Sequence, residues 1–278
     1  MGDETWPSYG TDEHKNYRFR SLCGKSLRFQ VKAAHDVHLC FSSTDDAESS
    51  PMVEVFLGAW EGAASAVRFN KADDLCKVDT PDFLSEDEYR EFWVALDHDQ
   101  IRVGKGGEWE PFMSCPLPEP INISHFGYAT GYGATGWFRF YQDRQLTSDD
   151  SLTYAFEPVY GNTFTFRVSC SNDAHIALTT TPEEGEPMVE IFIGGWENQA
   201  SAIRFNKSED LAKVDTPDVL CSANKRKFWV SFREGAIKVG NCGSEEPFME
   251  WQNEDAFKVT HVGYCTGWGA NGKWHAEI

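Results

Sequence analysis

The chain has 278 residues, of which 41% are hydrophobic and 14% aromatic, enough apolar surface for one large core or two ordinary ones, so wholesale disorder is excluded. Its 25 Lys and Arg stand against 44 Asp and Glu, a formal charge of −19 at pH 7 that repels phosphate, so neither nucleic acid nor an anionic membrane is an expected partner. No run approaches the ~18 apolar residues of a membrane span, and Met1-Gly-Asp-Glu-Thr-Trp6 lacks the basic segment and apolar run of a secretory leader.

From the N-terminus onward the apolar period is two, the period of strands. Leu27-Arg-Phe29-Gln-Val31 alternates. The acidic loop Asp45-Asp46-Ala-Glu48 lacks the alternating ligands of a dedicated Ca²⁺ loop and reads as a solvated turn. Val53-Glu54-Val55-Phe-Leu57 alternates again. In Ala66-Val67-Arg68-Phe69-Asn70, alternation sets Val67 and Phe69 on one face and Arg68 and Asn70 on the other. Glu54 lies opposite Val53 and Val55, so a hairpin of these two strands predicts a Glu54–Arg68 ion pair. The same polar face, with Trp60 beside it, offers a charged donor, a charged acceptor, an amide and a stacking platform, a set that suits sugar hydroxyls.

Ser85-Glu-Asp-Glu88 is a capping box and the one helix signal. Phe92-Trp93-Val94-Ala-Leu96, Asp97-His-Asp-Gln100 and Ile101-Arg-Val103-Gly104 read as a hairpin. Gly131-Tyr132-Gly133-Ala-Thr-Gly136 has the letters of a dinucleotide or S-adenosylmethionine loop. Such a loop must open a helix, whose N-terminus holds the anion. Here the strand-like Trp137-Phe-Arg-Phe-Tyr141 follows instead. The loop therefore reads as a crossover with Tyr132 exposed, able to stack on a sugar face.

Most of this recurs. Pro51-Met-Val-Glu-Val-Phe-Leu-Gly-Ala-Trp60-Glu returns as Pro187-Met-Val-Glu-Ile-Phe-Ile-Gly-Gly-Trp196-Glu, an offset of 136. The same offset pairs Glu54, Arg68 and Asn70 with Glu190, Arg204 and Asn206, Tyr132 with Trp268, and His125 with His261. Upstream the offset is 137, pairing Asp36 and His38 with Asp173 and His175. The histidines read as turn or sheet-edge groups. The second acidic loop is Glu183-Glu184-Gly-Glu186, and the second Gly-rich loop is Gly267-Trp268-Gly269-Ala-Asn-Gly272. A period this long is a domain duplication. The chain is read as residues 1–141, a linker 142–149, and residues 150–278. Each copy is expected to be an all-β, jelly-roll-like sandwich of seven to nine strands. Its inward side chains would be Phe29, Val31, Leu39, Val53, Val55, Leu57, Val67, Phe69, Trp93, Ile101 and Val103 and their second-copy partners.

The eight cysteines do not superpose: Cys76 meets Ala212, Cys115 meets Trp251, Cys221 meets Ser85 and Cys265 meets Ala129. A disulfide framework older than the duplication would have been copied, so the cysteines read as reduced and the compartment as cytoplasmic. No H-E-x-x-H, C-x-x-C, G-x-S-x-G or Walker loop is present, so no catalytic or metal set is assigned.

Trp6-Pro-Ser-Tyr9-Gly-Thr-Asp-Glu13, Tyr17-Arg-Phe-Arg20, Phe29-Gln-Val-Lys-Ala-Ala-His35-Asp, Gly194-Gly-Trp196-Glu-Asn-Gln-Ala-Ser-Ala-Ile-Arg204-Phe and Lys213-Val-Asp-Thr-Pro217 resemble the arthropod farnesoic acid O-methyltransferases along the whole chain. The resemblance implies a cytosolic protein linked to methyl farnesoate and juvenile hormone synthesis, with S-adenosylmethionine as methyl donor. The residues themselves favour a non-catalytic, lectin-like binding protein without a cofactor. Its carbohydrate or glycoconjugate ligand would meet Glu54, Trp60, Arg68, Asn70, Glu190, Trp196, Arg204, Asn206, Tyr132 and Trp268. The alternatives are the methyltransferase that the resemblance implies and a scaffold whose sheet faces dock protein partners.

Overall fold

The computed structural model describes residues 6–97 and 99–277. The leader reading drawn on residues 1–5, His98 in the expected hairpin turn, and Ile278 lie outside them. The chain divides into two compact units, Met1–Asp143 and Arg144–Ile278.

The first unit contains β1 (Tyr9–Thr11), β2 (Arg18–Ser21), β3 (Ser26–Ala33), β4 (Val37–Ser42), β5 (Met52–Gly58), β6 (Ala64–Phe69), β7 (Asp74–Asp79), β8 (Ser85–Leu96), β9 (Gln100–Lys105), β10 (Met113–Pro116), β11 (His125–Thr130) and β12 (Gly136–Phe140). They form two six-stranded sheets, ordered β1-β12-β3-β8-β9-β10 and β2-β11-β4-β5-β6-β7. Both sheets bury one face against the other, which makes a sandwich. The core includes Phe29, Val31, Leu39, Val53, Val55, Leu57, Val67, Phe69, Ile101 and Val103.

The second unit contains β13 (Gln145–Ser148), β14 (Ala155–Pro158), β15 (Thr163–Ser169), β16 (Ala174–Thr179), β17 (Met188–Gly194), β18 (Ala200–Phe205), β19 (Ala212–Asp215), β20 (Arg226–Arg233), β21 (Ala236–Asn241), β22 (Met249–Gln252), β23 (His261–Thr266) and β24 (Gly272–Glu277). Its sheets, β13-β24-β15-β20-β21-β22 and β14-β23-β16-β17-β18-β19, repeat the topology of the first strand for strand.

Among the described residues each unit has twelve strands, more than the expected seven to nine, because short edge strands such as β1, β2 and β10 carry too few residues to show a period. The expected linker holds β13, whose polar Gln145-Leu-Thr-Ser148 pairs with β24 as an edge strand. The capping box is not helical. It opens β8, and Ser85 Oγ instead accepts from the Asp87 and Glu88 amides at 3.2 and 3.3 Å, beside a register shift against β3. The expected hairpin is β8 with β9, repeated as β20 with β21.

Trp93 is buried, but on the face of β8 opposite Phe92 and Val94. Its indole lies on Gly104, where any Cβ would collide with it, and its Nε1 donates to the Lys105 and Glu108 carbonyls at 3.1 and 2.9 Å. The same arrangement sets Trp229 on Gly240.

The reduced reading of the cysteines is corrected at four of them, since Cys23, Cys76, Cys115 and Cys242 are all disulfide-bonded. Cys76 on β7 and Cys115 on β10 are disulfide-bonded, joining edge strands of the two sheets. In the second unit Ala212 and Trp251 hold these positions, and Trp251 packs on Phe205 with ring centroids 5.9 Å apart. A bond present in one copy alone escapes any test that asks for both. Cys40, Cys170, Cys221 and Cys265 are free. Among the described residues no helix is long and apolar enough to cross a membrane.

Candidate functional site

The outer face of the sheet that carries β4, β5, β6 and β11 holds Glu54 and Arg68, two of the expected ligand residues of the first unit. Cross-strand pairing places Cys40, Glu54 and Arg68 side by side, as alternation requires. The expected Glu54–Arg68 ion pair is not what forms. Glu54 Oε1 accepts from Lys15 Nζ at 2.7 Å and from the Tyr17 hydroxyl at 2.8 Å. Arg68 turns outward to Asp74, with Nε donating to Oδ1 at 2.6 Å, and its guanidinium lies 4.8 Å from the Phe56 ring centroid. Register decides neighbours, but the side chains arriving from the N-terminal segment and from β7 decide partners. Burial and the adjacent Glu54 carboxylate hold the Tyr17 hydroxyl protonated well beyond the usual tyrosine range.

Asn70 stands just past β6 with φ 52°, not on the polar face. Its Oδ1 accepts from the Met52 amide at 2.8 Å, and Asn206 does the same for Met188 at 2.9 Å. Both asparagines are thereby occupied in closing a β-hairpin. Trp60 and Trp196 sit in left-handed turns, φ 53° and 51°, between β5 and β6 and between β17 and β18. Each is 41% exposed, and Lys77 or Lys213 covers one ring face with its ammonium 3.3 Å from the centroid. Tyr132 and Trp268 project from the Gly-rich crossovers, 76% and 72% exposed. Neither crossover contains a helix.

The two copies differ in what these groups enclose. In the second unit Glu190, Trp196, Arg204 and Trp268 line one cleft of about 720 Å³, together with Tyr154, Asp173, His175, Glu184 and Phe192. In the first, a hollow of about 420 Å³ beside Tyr132 is lined by Glu13, His14, Lys15 and Gly133 and reaches neither Glu54 nor Trp60. Lys15 accounts for the difference, since it lies over Glu54. Its counterpart at the 137 offset is Leu152, and among the described residues Glu190 Oε1 keeps the Tyr154 hydroxyl alone, at 3.2 Å.

Trp268 is fastened from both sides. Asn172 Nδ2 donates to its carbonyl at 3.2 Å, and the next amide, Gly269, donates to Asp150 Oδ1 at 2.8 Å. Arg204 pairs with Asp210 at 2.6 Å, and Lys207 with Glu184 of the acidic loop at 2.8 Å. Sequence reasoning passed over Lys15, Leu152, Tyr17 and Tyr154. The offset of 137 already set Lys15 against Leu152, the one signal that the copies diverge here.

The fold and the clefts define a tandem β-sandwich protein with aromatic- and acid-lined outer faces. The chain belongs to the farnesoic acid O-methyl transferase family, whose model matches residues 9–144 and again residues 150–277. No curated protein matches it. Among solved structures it is similar to domains LG4-5 of the mouse laminin alpha1 chain at 10% identity and a TM-score of 0.33, covering 95% of this chain and 83% of that one. It is similar to sheep Galectin-11 in complex with glycerol at 9% identity and a TM-score of 0.32, over 45% and 93% of the two chains. For a carbohydrate-binding module from Bacillus subtilis the values are 12%, 0.33, 48% and 91%.

The family name implies S-adenosylmethionine and a farnesoic acid substrate. Around the larger cleft, Asp173, Glu184, Glu190 and Glu197 face only Arg204 and Lys207, both already ion-paired. Such a balance tolerates a sulfonium and repels a carboxylate. The apolar lining is limited to Leu152, Phe192 and the two tryptophans, which do not form a sleeve for a farnesyl chain. The residues present do not fit that pair of ligands.

Proposed function

We propose that the protein is a non-catalytic binding protein for a carbohydrate or glycoconjugate, with the cleft of the second unit as its principal site. The observation that carries this reading is one cleft holding two exposed indoles, Trp196 and Trp268, above a floor of charged hydrogen-bonding groups. A sugar ring offers an apolar face to an indole and hydroxyls to carboxylates and a guanidinium. The cleft volume of about 720 Å³ lies in the range of small-ligand sites. Leu152 and Trp268 leave the cleft accessible, whereas the first unit closes over Glu54.

The test is calorimetric titration of the full chain with a glycan panel, wild type against Trp268→Ala and Arg204→Ala. We expect a bound glycan whose affinity falls about tenfold in Trp268→Ala, a loss of about 1.4 kcal/mol. A panel without a binder, together with a thermal shift in saturating S-adenosylhomocysteine, would overturn the reading in favour of the family name. At a hundredfold excess over Kd that shift corresponds to about 2.7 kcal/mol of stabilisation.

A further inference from the structure

The floor of the first unit's outer face holds a cation of its own chain. Lys15 Nζ lies 2.7 Å from Glu54 Oε1, 4.8 Å from the Phe56 ring centroid and 5.4 Å from the Tyr17 centroid. A carboxylate and two aromatic rings thus enclose a primary ammonium. The duplication preserves all three enclosing groups as Glu190, Phe192 and Tyr154, while the ammonium is replaced by Leu152.

Among the described residues no side chain of the second unit forms an ion pair with Glu190 in place of the lost cation. Glu190 is 8% exposed and makes no ion pair among the described residues. Lys207 is held by Glu184 and Arg204 by Asp210. On the same cleft wall, His175 is 4% exposed, and its Nε2 makes no hydrogen bond, although Asp173 Oδ1 is 3.5 Å away. A carboxylate removed from water without a cation is costly, and an arriving ammonium offsets that cost with a charge-assisted hydrogen bond and cation–π contacts.

We propose that the second unit's cleft recognises a protonated primary amine carried on a sugar, an amino sugar with its nitrogen free. Glu190 takes the ammonium where Glu54 takes Lys15, Phe192 and Tyr154 flank it, and Trp268 meets the sugar face. The ammonium subsite rests on the comparison of the two units; its being carried on a sugar rests on the carbohydrate reading above.

The experiment titrates the full chain with a glucosamine tetramer, its N-acetylated counterpart, a glucose tetramer and n-butylammonium. It uses wild type, Leu152→Lys and Glu190→Gln. Leu152→Lys supplies the cleft with its own ammonium, as the first unit does. Glu190→Gln keeps shape and removes charge. We expect the glucosamine tetramer to bind at least tenfold more tightly than the N-acetylated and neutral ones, with that preference abolished in both variants. Equal binding of the three sugars, unchanged in Leu152→Lys, overturns the amine subsite and leaves the carbohydrate reading standing. Binding of n-butylammonium without any sugar, abolished in Leu152→Lys, supports the subsite and overturns the sugar as its carrier. Binding of none of the four overturns both. Thermal melting of each variant confirms folding, and Glu190→Gln keeps the measurement decisive if Leu152→Lys does not fold.

Discussion

The two units share a topology and most of an outer sheet face, yet one face is sealed and the other is open. In the first, Lys15 completes the charge of Glu54 and a disulfide ties β7 to β10. In the second, Leu152 leaves Glu190 uncompensated, and Ala212 and Trp251 replace the bridge. In the first copy the buried Glu54 carboxylate is met from within, by the Lys15 ammonium and the Tyr17 hydroxyl. The second retains a buried carboxylate beside a cleft that accepts from the Tyr154 hydroxyl but has no ion pair among the described residues, the kind of local departure that binding sites keep. Under the reading proposed above, one unit supplies structure while the other holds the site.

The largest effect that should sharpen this comparison is loss of the disulfide. The Cys76–Cys115 bond closes a loop spanning 39 residues. By loop entropy, Cys76→Ala with Cys115→Ala should cost the first unit about 2–4 kcal/mol. Calorimetry should show one transition moving down while the second unit's transition stays in place. Equal displacement of both would show that the units melt together, and the stabilities could then not be assigned separately.

Next in size is the Lys15 ammonium. Lys15→Leu recreates the second unit's arrangement in the first. It leaves Glu54, 1% exposed, with the Tyr17 hydroxyl as its remaining partner. We expect a loss of about 1–3 kcal/mol, the cost of a buried group deprived of its partner. The same variant should give the first unit measurable affinity for n-butylammonium, detected by calorimetry. Destabilisation without that gain would mean that the enclosing groups need the lysine to hold their positions.

Most of the fold was legible in the sequence, because the period-two pattern and the 136-residue offset are carried by many side chains at once. The hairpin of β8 and β9 and the helix-free Gly-rich crossovers followed from local letters. The site was legible only as a set of residue types. Glu54 and Arg68 are neighbours in register, but Lys15 reaches Glu54 from outside the strands, and Asp74 faces Arg68 across β7 beside a register shift that alternation does not show. Asn70 looked like a face residue because alternation was extended one position too far, past the end of β6 into a left-handed turn. The Cys76–Cys115 disulfide was missed because the repeat was used as the test, and a feature of one copy is invisible to it. The same comparison, applied to differences rather than identities, would have singled out Lys15 against Leu152.

The smallest effect concerns pH and again separates the first unit. Burial pushes the His38 imidazole below its ordinary value of 6.5, although Asp36 partly opposes this through Nε2 at 3.6 Å. The other charged groups that act on it are Lys15, which lowers it further, and Glu54, which raises it. The folded protein therefore binds the proton less readily than the unfolded chain. Its contribution is fully present above about pH 6.5 and is lost as the pH falls from there toward the lowered folded value, where the loss levels off. The slope in that window cannot exceed about 1.4 kcal/mol per pH unit. Melting the wild type from pH 7.5 to pH 5 should lower the first unit's transition, and His38→Gln should flatten the decline. The Lys15→Leu variant adds a directional check. With the lysine gone, Glu54 acts on His38 without an opposing ammonium and its pKa should rise, so the decline should become shallower. A decline that steepens in Lys15→Leu would mean that Lys15 shields His38 from water more than it repels its proton.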